Sequence, residues 1–171
     1  PVASLDEMIS QMPFLEKKYT SYSDFGGKTA EDIFGKKKLN QSILKSAVLL
    51  ESCLFINDGN GTFKILKLPM MAQFSPVRDI LVSDLDIDGK MDLILAGNDY
   101  TVRPSMGRYD ASYGWCLLGN TDYRYNALMP AKSGLKITGD ARRILPIKVS
   151  GKQYLVAAVN DGDLQIFEFL K

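Results

Sequence analysis

The chain has 171 residues, 46% of them hydrophobic, a formal net charge of +1, two cysteines and no histidine. That length and apolar content support a packed core and exclude wholesale disorder, and near-neutral charge without a basic stripe excludes a global field for nucleic acid or an anionic membrane. The longest aliphatic run, Leu155-Val156-Ala157-Ala158-Val159, is far too short for a membrane span. Without histidine there is no Ser/His/Asp triad and no ordinary zinc site. Cys53 and Cys116 lack CxxC spacing and read as small apolar strand residues. The opening Pro1-Val2, with no initiator Met and no signal-type apolar stretch, reads as the start of a segment excised from a longer precursor.

Residues 1–45 are expected to be helical. Ser4-Leu5-Asp6-Glu7 has the form of a capping box, and Leu5, Met8, Ile9 and Met12 then share one helical face. Pro13 ends that helix and suits the first turn of a second, carried by Phe14, Leu15 and Tyr19 to about Thr20. Residues 21–28, with Gly26-Gly27, read as a loop. Thr29 and Asp32 cap a further turn that buries Ile33 and Phe34 and stops at Gly35. Lys36-Lys37-Lys38 is a solvated face, and Leu39, Ile43 and Leu44 extend one more turn or two of helix. This segment is expected to be an insertion or cap beside a β domain spanning 46–171.

From Ser46 the pattern becomes β. Ala47–Leu50 and Cys53–Ile56 read as strands, Asn57-Asp58-Gly59-Asn60-Gly61 as a turn rich in residues that accept positive φ, and Phe63–Leu68 as the return strand ended by Pro69. Asp79–Ser83 and Leu93–Gly97 are two further strands. Between them lies Asp84-Leu85-Asp86-Ile87-Asp88-Gly89-Lys90-Met91-Asp92. Four carboxylates in nine residues repel one another unless a cation sits among them, and a hard cation with oxygen ligands, calcium above all, fits. Asp84, Asp86, Asp88 and Asp92 are expected to supply side-chain oxygens and Lys90 its backbone carbonyl, with Gly89 making the sharp turn and Leu85 and Ile87 pointing into the core. An EF-hand needs a Glu at its twelfth position, which here is Leu95, and flanking helices, which the strand-like flanks exclude. The bland alternative is a solvated acidic hairpin without metal.

The metal loop together with Phe55-Ile56-Asn57-Asp58-Gly59-Asn60-Gly61-Thr62-Phe63 resembles the FG-GAP or VCBS repeat, of the kind found in integrin α-subunit propellers and in many bacterial secreted proteins. Residues 53–99 follow its pattern throughout, and the chain as a whole is similar to the C-terminal part of bacterial proteins grouped with the ASPIC/UnbV and cartilage acidic protein-like set. The resemblance implies β-propeller blades, calcium in the blade loop and a location that is extracellular, at the cell surface or periplasmic. It implies no single activity.

Asn98–Gly114 is a long connection carrying Tyr100, Arg103, Arg108, Tyr109, Asp110 and Tyr113, with Trp115 following. Flat rings and guanidinium forks of this kind suit recognition of a sugar or peptide; alternatively, Arg103 and Arg108 pair with Asp99 and Asp110 to pin the loop. An internal repeat then appears: Phe55-Ile56-Asn57 and Leu117-Leu118-Gly119 are offset by 62 residues, as are Leu93–Asp99 and Leu155–Asp161, while Asp79–Val82 and Arg143–Pro146 are offset by 64. In the second copy Val149-Ser150-Gly151-Lys152-Gln153 replaces the acidic loop, so one copy is expected to bind calcium and the other not. Cys53 and Cys116 fall one repeat apart, which argues against a disulfide. Leu164–Phe169 reads as a terminal strand. The expected fold is mainly β, a partial β-propeller of about two antiparallel blades (46–99 with the calcium loop, 114–171 degenerate) behind an N-terminal helical segment, with the remaining blades upstream. The expected role is a non-catalytic, calcium-binding module for protein or glycan recognition, or else a supporting part of a propeller enzyme.

Overall fold

A computed structural model describes residues 3–170, in two compact units, Pro1–Val48 and Leu49–Lys171. The first unit is five short helices: α1 (Leu5–Gln11), α2 (Phe14–Lys18), α3 (Tyr22–Phe25), α4 (Ala30–Phe34) and α5 (Lys36–Asn40). None is long enough to be stable alone, so capping and a shared core decide. Both capping boxes form: Ser4 with Glu7, and Thr29 with Asp32. Lys18 Nζ donates to the Asp32 and Ile33 carbonyls at 2.7 Å, closing the C-terminus of α4. Leu5, Met8, Leu15, Tyr19, Phe25 and Ile33 form the core, with Tyr19 and Phe25 edge to face at 5.4 Å.

Three local expectations fail here. The loop expected at 21–28 contains α3, because Ser21 Oγ accepts from Asp24 N at 3.2 Å and starts a turn that Gly26-Gly27 had obscured. Helix α5 ends at Asn40, leaving Ile43 and Leu44 exposed. Ala47–Leu50 is not a strand: no neighbouring strand accepts its hydrogen bonds, and Val48 is 92% exposed.

The second unit is mainly β: β1 (Cys53–Asn57), β2 (Phe63–Lys67), β3 (Val77–Ser83), β4 (Asp92–Gly97), β5 (Trp115–Gly119), β6 (Tyr125–Leu128), β7 (Ala141–Val149), β8 (Lys152–Val159) and β9 (Gln165–Glu168), with α6 (Pro130–Ser133) between β6 and β7. They form three antiparallel sheets, β1-β2, β3-β4-β5-β6 and β7-β8-β9. Strand β4 is buried on both faces, so it reads as an unbroken apolar run rather than an alternating one. Leu93 and Leu95 join Trp115, Leu117, Leu68 and Ala72 in a core that also takes Leu54 of β1. Ile94 and Ala96 point the other way, to Ile137, Ala141, Ile144, Leu155 and Ala157. The central sheet is therefore covered on opposite faces by the β1-β2 hairpin and by the β7-β8-β9 sheet.

The internal repeat is present as register. Asn57 pairs with Phe63 and Gly119 with Tyr125, both shifted by 62 residues. The third strand of each copy, β3 and β7, carries the same bulge, between Val77 and Asp79 and between Ala141 and Arg143, opposite Gly97/Ala96 and Val159/Ala158. The sheets, however, do not break where the expected copies 46–99 and 114–171 break. Strand β5 pairs with β4, not with β7, so the central sheet runs from Val77 to Leu128 and the β1-β2 hairpin stands apart from β3 and β4. A repeat fixes which segments are equivalent; it does not fix where one sheet ends. Neither β6 nor α6 was expected. The cysteines are free, Cys53 half-buried on β1 and Cys116 buried on β5, and burial pushes the Cys116 thiol up to about 11.

Candidate metal centre

Residues 84–91 leave β3 and enter β4 without regular structure, so strands and not helices flank the acidic loop. Each of Asp84, Asp86 and Asp88 offers a carboxylate oxygen, and these atoms lie within 4.8 Å of one another. The loop backbone holds them in place. Asp84 accepts from the Asp88 and Gly89 amides at 3.1 and 3.0 Å, Asp86 from the Asp88 amide at 3.2 Å, and Asp88 from the Lys90 amide at 2.9 Å. Gly89 (φ 85°) and Ile87 (φ 62°) both adopt left-handed backbone. A β-branched residue there is strained. Ile87 is also 83% exposed, which corrects the expectation that it points inward, whereas Leu85 packs against the core shared with β7 and β8.

The local charge balance is incomplete. Lys90 Nζ pairs with Asp88, and that hydrogen bond holds the Asp88 carboxyl below the usual carboxylate range and raises the ammonium of Lys90. Among the described residues no other ion pair reaches the group. Three hard oxygen donors gathered within 4.8 Å are the kind of set that can hold a metal ion. The donor set therefore fits a metal ion.

Asp92 stands outside that trio. It is 1% exposed, and its two oxygens accept from Leu85 N and Gly119 N, each at 2.8 Å. It roots the loop by tying its first turn to the end of β5. Strand patterning alone gives no signal for this second acceptor role, because Gly119 lies 27 residues away.

The aromatic and basic residues of the 98–114 connection disperse. Asn98, buried and at φ 84°, clasps both ends of the loop: its Nδ2 donates to the Ser112 and Gly139 carbonyls at 2.8 and 2.9 Å, and its Oδ1 accepts from Ser75 Oγ and Ser112 N at 2.8 and 3.1 Å. Asp99 and Tyr109 form a β-bridge. Asp99 pairs with Arg78, and Arg108 lies over the Tyr100 ring at 4.6 Å. Arg103 precedes a short 3-10 turn, Pro104–Met106, and Asp110 is exposed. Tyr113 is half-exposed beneath Lys136 at 5.8 Å. Trp115 is no ligand platform: it is a core residue of β5, edge to face with Phe74 at 6.1 Å. Of these side chains Tyr100 and Arg108 come together, whereas Trp115 lies in the core. Set against family models, curated proteins and solved structures, the chain matches none, and among the described residues no helix is long and apolar enough to cross a membrane.

Proposed function

We propose that residues 49–171 belong to a β-propeller of FG-GAP/VCBS type, in which calcium held by Asp84, Asp86 and Asp88 with the Lys90 carbonyl, on a loop rooted by Asp92, clips β3 to β4. On this reading the module binds or scaffolds a protein or glycan outside the cytoplasm and is not itself catalytic. The observation that carries the reading is the Asp84–Asp86–Asp88 group, gathered within 4.8 Å on a strained backbone with little compensating charge. The uncovered faces support the propeller. Leu81, Ile94 and Ala96 of the central sheet pack toward the β7-β8-β9 sheet, but their register equivalents Leu145, Val156 and Ala158 have no such cover, and Leu145 is 48% exposed. A further sheet of the same kind would bury them as β7-β8-β9 buries its neighbour.

Thermal unfolding of the whole chain with calcium and with chelator tests the reading. Calcium at about 100 times its dissociation constant adds about 2.7 kcal/mol by mass action. The Asp86→Asn variant loses that increment, yet in chelator it is as stable as the parent or slightly more so, because like-charge crowding is relieved. A parent whose melting temperature ignores calcium, with Asp86→Asn silent in both conditions, overturns the clip.

A further inference from the structure

A cleft of about 520 Å³ opens between the 98–114 connection and the start of the β7-β8-β9 sheet, with Tyr100, Arg108, Asp140, Asn160, Asp161 and Asp163 among its walls. Asp140 is wholly buried. Its Oδ2 takes the Arg142 guanidinium at 2.5 Å, and its Oδ1 is buried with no hydrogen-bond partner. A buried carboxylate oxygen without a donor is costly, and the fold does not require it. By the 64-residue register Asp140 corresponds to Pro76, and the two perform one structural task through the backbone: Pro76 O accepts from Asn98 N at 3.0 Å, and Asp140 O accepts from Asn160 N at 2.8 Å. The carboxylate is thus surplus to the strand pairing that both copies share.

We infer that this cleft binds an alkylammonium group, such as a lysine side chain or a free amine, with Asp140 as the innermost acceptor and Asp161 and Asp163 at the rim. The inference does not depend on the metal loop. The charge favours a cation: three carboxylates, Asp140, Asp161 and Asp163, face two guanidiniums, Arg108 in the wall and Arg142 on Asp140. The geometry selects ammonium over guanidinium. Asp140 offers a single oxygen, its partner being taken by Arg142, so the two-oxygen fork that suits a guanidinium is already spent. The Tyr100 face on which a planar cation would stack is already covered by Arg108. A compact point charge with three donors fits what remains. A metal ion fits less well, because Asp140, Asp161 and Asp163 do not bring their oxygens together as Asp84, Asp86 and Asp88 do.

The test is amide chemical-shift mapping of the whole chain titrated with a short blocked peptide carrying one lysine, with its ε-acetylated form, with the arginine form, and separately with 1,4-diaminobutane. The lysine peptide, the diamine or both are expected to shift the amides of Gly139, Asn160 and Gly162, and which of them does so identifies the source of the ammonium. Acetylation and Asp140→Asn each weaken binding by at least about tenfold, the loss of one charge-assisted hydrogen bond. If Asp140→Asn fails to fold, the Asp161→Asn/Asp163→Asn pair carries the test, with binding weakened at least about threefold by loss of the rim charge. No response to either amine, equal binding of the acetylated peptide, preference for arginine, or displacement of the amine by calcium from these same amides overturns the assignment.

Discussion

Between β3 and β4 the chain takes residues 84–91, acidic and strained, whereas between β7 and β8, in the same register, it takes only Ser150 and Gly151. Both of those residues are at positive φ (49° and 83°), the signature of a tight hairpin turn whose twist matches the strands. Since the second copy closes with so little, the sheet itself does not ask for the longer connection. The acidic loop is an addition that costs repulsion and backbone strain, and it persists only if something offsets them: the root at Asp92, the internal amide bonds and, on our reading, an ion.

That comparison can be broken at paired positions. The largest effect is expected at the root. Asp92→Ala strands two part-buried amides and leaves a cavity where a wholly buried side chain sat, a loss of about 4 kcal/mol in denaturant unfolding. Tyr154, its equivalent across the repeat, roots no loop, and Tyr154→Ala is expected to cost about 2 kcal/mol. Next is Gly97. A Cβ there would lie 1.9 Å from the Pro76 carbonyl oxygen, so Gly97→Ala costs about 3 kcal/mol by forcing β3 and β4 apart. The equivalent residue is Val159, and Val159→Ala costs only about 1 kcal/mol. Equal effects within either pair would show that the root at Asp92 or the close approach at Gly97 sets the first copy apart from the second in nothing that stability registers.

A smaller contrast is expected in acid. Hydrogen bonds from Thr101, and then the charge of Arg78, hold the Asp99 carboxyl below the usual range. Its contribution is therefore complete above the ordinary carboxylate pKa of about 4 and is lost as pH falls through the lower, folded value. Hydrogen exchange in residues 98–114 should accelerate in that acid window, and Asp99→Asn should show the same acceleration at neutral pH. Asp161, the equivalent carboxylate, lies exposed in a turn, and Asp161→Asn is expected to change stability by no more than about 0.5 kcal/mol. The smallest perturbation is chemical: a thiol reagent at neutral pH should modify Cys53 well before Cys116, whose protonated, buried thiol is a poor nucleophile. Simultaneous labelling would mean that β5 opens as readily as β1.

Much of this was legible in residue order. Alternating carboxylates followed by glycine announced the acidic loop, the Ser4–Glu7 capping box and the Thr29 N-cap announced α1 and α4, and the 62- and 64-residue offsets survive as paired registers. Long-range geometry was not legible. No local pattern distinguishes Trp115 on a ligand surface from Trp115 in the core, because that depends on which sheet covers β5. Asp92 looked like a fourth member of the acidic series, yet its oxygens are claimed by amides that only the tertiary fold brings near. Ala47–Leu50 has strand composition but nothing to pair with, and composition cannot supply a partner.

Asp79 adds one more consequence. Its carboxylate reaches from β3 to β7, accepting from Ile144 N at 2.8 Å and pairing with Arg143 at 3.4 Å, and Arg143 is the residue that the repeat aligns with Asp79 itself. Each copy thus presents a different sign at the same seam, and the joint has a direction, acid handing on to base. Two first copies placed side by side would set acid against acid. The order of these two copies is marked by one charge reversal at the seam, and exchanging Asp79 with Arg143 would keep the ion pair but leave Ile144 N without its acceptor.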